Sequence, residues 1–283
     1  MAYHAEVSMA ISRRAVFSGL ALTLAGCGAP KGKQARLMRP STLAASNYRA
    51  AGIPARFGDT DPHDWEGLAP AQLPVHGIDA ARYQGEIDWR RARAAGVSFA
   101  WLKATEGGDH VDPGFSVNAH RARAAGIPVG AYHFYYFCRP AEDQARWFIR
   151  NVPARAGDLP PVLDIEWNHT SPSCRRRPSA HQVQAEMRRF LAILTAHYGT
   201  RPIIYTTVDF WRDAGLRRFA GHEFWLRSVA GHPLDNYPGA DWSFWQYSGT
   251  GVVPGVPGTV DMNAFAGSPA AWEGWLAARV QRA

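Results

Sequence analysis

The stretch Pro160-Pro161-Val162-Leu163-Asp164-Ile165-Glu166-Trp167-Asn168 decides how this chain reads. An apolar run climbs out of a double proline and ends in two carboxylates one residue apart. The apolar lead has the character of a strand buried on both faces. Side chains alternate along a strand, so Asp164 and Glu166 share a face, with Cα atoms about 6–7 Å apart. Two acids this close repel each other and raise one pKa. That is the condition under which a general acid keeps its proton beside an ionised partner near neutral pH. The same residues also fit a strand that runs out into a solvated acidic loop, so the pair needs support from the rest of the chain.

Working outward, the sequence alternates between strand and helix patterns. Apolar strands are expected over residues 75–79, 97–104, 127–137, 161–166, 201–206, 223–229, 242–247 and 259–263. Helices are expected over 87–95, 112–125, 140–149, 179–198 and 272–279, several of them stopped by glycine. In the second half the connections are too short for full crossover helices. Repeated strand–helix units argue for a parallel sheet. Eight strands suggest an α/β fold, an irregular TIM-like (β/α) barrel with short or missing helices in its second half. An open doubly wound sheet is the alternative, but no glycine-rich phosphate loop follows the first strand.

Placed on that frame, the polar residues form a ring. Asp79 ends strand one, and Lys103, Thr105 and Glu106 end strand two. Tyr132, His133 and Tyr135 lie on strand three, and Asp164 and Glu166 end strand four. Tyr205 is on strand five and Trp225 on six. Trp245 and Gln246 are on seven, and Asp261 and Asn263 on eight. Barrel enzymes build their sites at the carboxyl ends of the strands. Aromatics interleaved with carboxylates suit a sugar chain, whose flat apolar faces pack on rings while its hydroxyls meet acids and amides. Tyr132, His133, Tyr135, Tyr205, Trp225, Trp245 and Gln246 are therefore candidate substrate contacts. His133 fits a satisfied core histidine equally well. Phe99, Phe134 and Phe137 read as core, and Lys103 as a structural ion-pair partner.

The 283 residues are 46% hydrophobic and 19% charged, enough for a substantial core, and the formal net charge is +7. A basic surface favours an anionic partner such as a membrane or a cell-wall polymer. No zinc-ribbon, basic-helix or recognition-helix pattern occurs, so no nucleic acid is expected. His63 stands among Asp59, Asp61 and Asp64, but the spacing fits no standard metal site. Neither a metal nor a cofactor is expected.

Residues 1–26 read as a targeting signal. Ser12-Arg13-Arg14-Ala15-Val16-Phe17 resembles a twin-arginine export motif, and a short apolar run follows it. That run ends in Leu24-Ala25-Gly26-Cys27, which looks like a lipobox in which Cys27 carries the lipid. Residues 27–74 then read as the lipidated cysteine and a flexible tether, and 75–283 as the barrel. An exported, membrane-anchored monomer facing the periplasm or cell wall is the expectation. The two other cysteines, Cys138 and Cys174, fall just past neighbouring strand ends. They read as a disulfide or as two separate thiols.

Several motifs, in order, resemble glycoside hydrolase family 25. They are Gly77-Ile78-Asp79, Tyr83-Gln84-Gly85 with Ile87-Asp88-Trp89, and Lys103-Ala104-Thr105-Glu106-Gly107. Gly130-Ala131-Tyr132-His133-Phe134, Leu163-Asp164-Ile165-Glu166, Trp245-Gln246-Tyr247-Ser248 and Val260-Asp261-Met262-Asn263 complete the set. Members are lysozymes (N-acetylmuramidases) that cut peptidoglycan, on an irregular β/α barrel. The resemblance implies Glu166 as general acid and Asp164 as its partner carboxylate. Asp79 and Asp261 match the other two acidic positions, and Tyr132 and Gln246 line the groove. Retention, inversion and participation of the substrate's own acetamido group stay open; the last is favoured, because both carboxylates approach the sugar from one side. Cys174-Arg175-Arg176-Arg177 is a basic insertion after the acidic pair, facing either acidic stem peptides or solvent. A non-catalytic peptidoglycan-binding lipoprotein on the same barrel is the alternative function. A chitinase-like enzyme lacks its run of alternating aspartates, and no Gly-x-Ser-x-Gly elbow exists for a serine hydrolase.

Overall fold

The structure is a computed structural model that describes residues 52–282. The export signal, Cys27 and the tether as far as residue 51 lie outside the described residues. Ten strands follow in order: β1 (Gly58–Asp59), β2 (His76–Ala80), β3 (Ala100–Glu106), β4 (His110–Val111) and β5 (Val129–Phe134), then β6 (Val162–Asp164), β7 (Ile203–Thr206), β8 (Glu223–Arg227), β9 (Trp242–Val252) and β10 (Val260–Phe265). The helices are α1 (Trp89–Ala95), α2 (Phe115–Ala124), α3 (Ala141–Asn151), α4 (Ala180–Tyr198), α5 (Val208–Asp213), α6 (Pro233–Asn236) and α7 (Pro269–Arg279). Their ends follow local chemistry. Asp88 caps α1 by accepting from the Arg91 amide, and Ser179 and Ser268 cap α4 and α7 in the same way. Gly199, at φ 66°, supplies the left-handed residue that ends α4.

Strands β2, β3, β5, β6, β7, β8 and β9 pair in parallel in that sequence, and β10 closes the ring. The result is the expected eight-stranded barrel with short helices in its second half. One expectation needs correcting. β10 runs antiparallel to both β9 and β2, not parallel. Only residues 253–259 separate β9 from β10, too few for a crossover, so the chain turns straight back. Asp261 therefore reaches the carboxyl rim of the barrel from the start of its strand, opposite Asp79 near the end of β2.

The segment expected to be a tether as far as residue 74 is also different from Gly52 onward. β1 pairs antiparallel with the end of β9, and Thr250 donates to Asp59 Oδ1 at 2.6 Å. Trp65 sets its ring edge-on to Trp245 at 5.0 Å, and Ile53 and Phe57 pack on the core. Isolated apolar residues in an aperiodic stretch make these contacts one at a time, which is why periodicity did not reveal them.

Strand alternation separates two apolar layers. The inner one fills the barrel with Trp101, Val162, Ile203, Trp225 and Phe244, joined by Tyr132 and Tyr205. The outer one packs alternate residues such as Leu102, Leu163, Ile204, Leu226 and Trp245 towards the helices. Packing inside is tight enough to dictate glycine: a Cβ on Gly130 would lie 1.9 Å from the Trp101 ring. At the amino end, Trp272 and Trp275 of α7 pack on Phe99, Phe244 and Phe265. Trp275 and Arg279 both donate to Glu223 at the start of β8. With that end closed, the carboxyl rim is the open one.

Candidate active site

A cleft of about 350 Å³ opens at the carboxyl rim, and Asp79, Asp164, Glu166 and Asp261 all line it. Tyr132, Tyr205, Trp225 and Gln246 line it as well. Asp164 and Glu166 share the end of β6, and each of the others comes from an inward-facing position of a different strand, so alternation and register bring them together. Lys103, Phe134 and Tyr136 complete one wall.

A hydrogen-bonded chain fixes the floor. Tyr205 donates to Gln246 Oε1 at 2.9 Å, and Gln246 donates to Asp79 Oδ1 at 2.9 Å. Asn263 donates to the same oxygen at 2.8 Å while accepting from the Trp225 indole at 2.7 Å. Each of these five side chains has a hydrogen-bond partner within the group, so they are held rigidly. Asp79 and Asp261 face each other across β2 and β10 and share a hydrogen bond. Burial, and then the Asp261 charge, push Asp79 well above the ordinary carboxylate range. Asp79 is thus the hydrogen-bond donor of the pair and Asp261 the acceptor.

β6 ends in the ladder at Asp164, and Glu166 lies two residues beyond it. The backbone of this exit is pinned by Tyr135 N–H donating to Asp164 O and Ile165 N–H donating to Tyr205 O. Glu166 is pushed up to about 7, chiefly by burial; Asp209 adds to the rise, while Arg227 and Lys103 oppose it. Asp164 is also raised, by burial first and then by Glu166, against the pull of Lys103. The two carboxyls titrate as a pair. Asp164 Oδ1 is buried and has no hydrogen-bond partner among the described residues. A buried acceptor left unpaired is costly, so an N–H or O–H brought into the cleft gains by meeting it. Lys103 donates to Glu106 at 2.5 Å and sits 4.7 Å over the Phe134 ring, so it is both an ion-pair partner and part of the wall.

Three expected substrate contacts lie elsewhere. His133 points outward, bonded through Nδ1 to Thr105 and through Nε2 to Gln144, and stacks on Phe190. Burial pushes its pKa down to about 4, so it stays neutral as a core histidine. Tyr135 is 1% exposed and donates to Glu186 of α4. Trp245 is wholly buried in the outer layer and donates to the Ser228 carbonyl. All three are out of phase with the inward positions on their strands. Conversely, Arg227 and Tyr136 bear on the site and were not expected there, while Asn263, expected on the ring, holds Asp79 in place. Asn263 and Arg227 have the same strand parity as Asp261 and Trp225, a signal the sequence contained. Cys138 and Cys174 are joined, with Cα atoms 5.8 Å apart, which ties the loop after β5 to the loop after β6. In that second loop Arg177 stacks on Trp167 and Arg175 donates to the Ser171 carbonyl, so two of its three arginines are engaged within the protein.

The family model for glycosyl hydrolases family 25 matches residues 78–256. The chain belongs to glycoside hydrolase family 25. Lysozyme M1 of Streptomyces globisporus is 36% identical over 273 residues, covering 90% of this chain and 89% of that protein. Among solved structures, a family 25 glycosyl hydrolase from Bacillus anthracis superposes with a TM-score of 0.67 at 33% identity, over 77% of this chain and 98% of that one. The bacterial lysozyme from Streptomyces coelicolor does so with 0.62 at 39% identity, over 69% and 94%. This family 25 chain is therefore a glycoside hydrolase on a β/α barrel, and its acid-lined cleft is at the rim where such barrels carry their chemistry.

Proposed function

We propose that this family 25 enzyme is a lysozyme-type muramidase, hydrolysing the β-1,4 bond between N-acetylmuramic acid and N-acetylglucosamine in peptidoglycan. The observation that carries the reading is the Asp164–Glu166 pair: one carboxyl raised to about 7, the other buried with a free oxygen. Glu166 protonates the leaving glycosidic oxygen. The acetamido carbonyl of the substrate then attacks the anomeric carbon. Asp164 accepts that group's N–H through Oδ1 and stabilises the positive charge it develops. Glu166, now ionised, takes a proton from the water that opens the ring intermediate, which gives net retention. Asp79 and Asp261, sharing a proton, offer hydrogen bonds to sugar hydroxyls, and Tyr132, Tyr205 and Trp225 form the floor under the sugar ring. The relatives named lysozyme support peptidoglycan as the substrate.

Cys27 as a lipid anchor in the cell envelope belongs to the same proposal. Its support is the Leu24-Ala25-Gly26-Cys27 motif, and Cys27→Ala is expected to release the protein from the membrane fraction.

The test is a digest of purified peptidoglycan by wild type and by Glu166→Gln, with mass spectrometry of the new reducing ends. Muramic-acid ends that vanish in the variant support the reading; glucosamine ends move the cut. Binding to the wall without any product favours a non-catalytic binding lipoprotein. Proton NMR of the first-formed anomer separates retention from inversion.

A further inference from the structure

Beside the cleft lies a second hollow of about 410 Å³, and Glu166 lines both. Its charged walls are Arg212 of α5, Arg227 at the end of β8, and Asp209 with His169. The acid there is already engaged. Asp209 accepts from Thr207 at 2.6 Å through one oxygen and lies 3.5 Å from His169 through the other. The two arginines hold no partner by a direct bond, although Arg227 acts at longer range on Glu166 and Asp261. Neither makes a side-chain hydrogen bond or an ion pair among the described residues. Elsewhere Arg123, Arg139 and Arg279 are each paired with an acid, and Arg177 stacks on Trp167. Two unpaired guanidiniums facing one hollow, beside the acid, form a site for a planar anion, which the arginine fork matches in geometry as well as charge.

The position of the hollow limits what that anion can belong to. Glu166 must touch the oxygen of the bond being cut, so the hollow flanks a sugar at the cut. N-acetylglucosamine carries no charge. The muramoyl residue carries a 3-O-lactyl group, either as a free carboxylate or extended by a peptide with carboxylates of its own. We propose that the Arg212–Arg227 hollow is an anion subsite that receives a carboxylate borne by the muramoyl residue. This inference rests on the muramidase reading and adds a basis for choosing charged glycan over neutral glycan. Arg227 also faces Glu166 and Asp261, so Arg212 is the cleaner residue to change.

The experiment uses the intact enzyme and soluble glycan chains prepared from peptidoglycan in two forms, peptide-bearing and stripped of peptide by an amidase. KM and kcat are measured for wild type, Arg212→Gln and Arg212→Lys, with thermal melting as the check on folding. Loss of one charge-assisted contact corresponds to about a 10-fold rise in KM. The expected result is that rise for Arg212→Gln with a smaller change in kcat, partial recovery in Arg212→Lys, and erosion of the wild-type advantage by salt. A rise only with the stripped chains assigns the free lactyl carboxylate, a rise only with peptide-bearing chains assigns the peptide carboxylates, and a rise with both means that the subsite takes either. Unchanged KM on both substrates overturns the subsite while leaving the muramidase reading intact. If wild type cuts neither substrate, the muramidase reading itself fails, and the subsite falls with it.

Discussion

If Glu166 is the general acid, the rate must follow its proton. An acid with the ordinary value of 4.5 would be only about 3% protonated at pH 6, whereas one raised to about 7 is roughly 90% protonated there. Burial therefore supplies about a 30-fold advantage at pH 6. Above pH 7 the protonated fraction falls about tenfold per unit, leaving roughly 1% at pH 9. Initial rates of reducing-end release from soluble glycan, at constant ionic strength from pH 5 to 9, should show a basic limb centred near 7. The same shift has a stability consequence of definite sign. The folded value lies above the unfolded one, so the fold favours the protonated form. Stability is full below pH 4.5 and is lost as pH rises through 7. The gap corresponds to roughly 3 kcal/mol at most. Glu166→Gln removes the ionisation, so the inactive variant should melt above wild type at pH 8 and together with it near pH 4. A basic limb below pH 6, or a variant less stable than wild type at pH 8, would refute the assignment of a buried, proton-holding Glu166.

Trp245→Phe should leave KM within about twofold, because the ring lies outside the cleft. It should lower stability by about 1–3 kcal/mol through the lost bond to Ser228 and the trimmed packing, read by denaturant unfolding. Asn263→Ala removes a donor from Asp79 and the acceptor of the Trp225 indole. A loss of about 2–3 kcal/mol and a raised KM are expected from melts and kinetics on the same preparation. Gly130→Ala places a methyl against the Trp101 ring and should cost about 1–3 kcal/mol or prevent soluble expression, whereas Gly126→Ala, with no neighbour within 4 Å, isolates the cost of its left-handed backbone. Replacing Cys138 and Cys174 together by serine opens a 36-residue link and should cost about 3–4 kcal/mol, seen as a lower melting temperature.

What the sequence made legible follows from where a local pattern was sufficient. The order of eight strands, the opening of the long helix at Ser179 and its stop at Gly199 all depend on residues within one turn or one strand of each other. The direction of β10 depends instead on loop length, since residues 253–259 are too few for a crossover and the chain must turn straight back. The clamp of residues 52–74 depends on single long-range contacts such as Trp65 on Trp245, which leave no periodic trace.

Strand parity is the most instructive of these signals, because it was available and decides the site. Once Asp164 faces the cleft, register with its neighbours fixes which residues can join it. Tyr132 pairs with Val162, and both point inward, so His133 must point outward towards α3 and α4. Gln246 reaches Asp79, so Trp245 cannot. Choosing residues by chemical type alone admitted both members of each adjacent pair, and the barrel can use only one. The rise at Glu166 is a different case, since spacing alone does not show how far either carboxyl of an i, i+2 pair is shifted. It depends on groups distant in sequence: burial beneath the rim and Asp209 push it up, while Arg227 from β8 and Lys103 from β3 oppose the rise. Moving either cation should therefore retune the acid without touching the Asp-x-Glu motif.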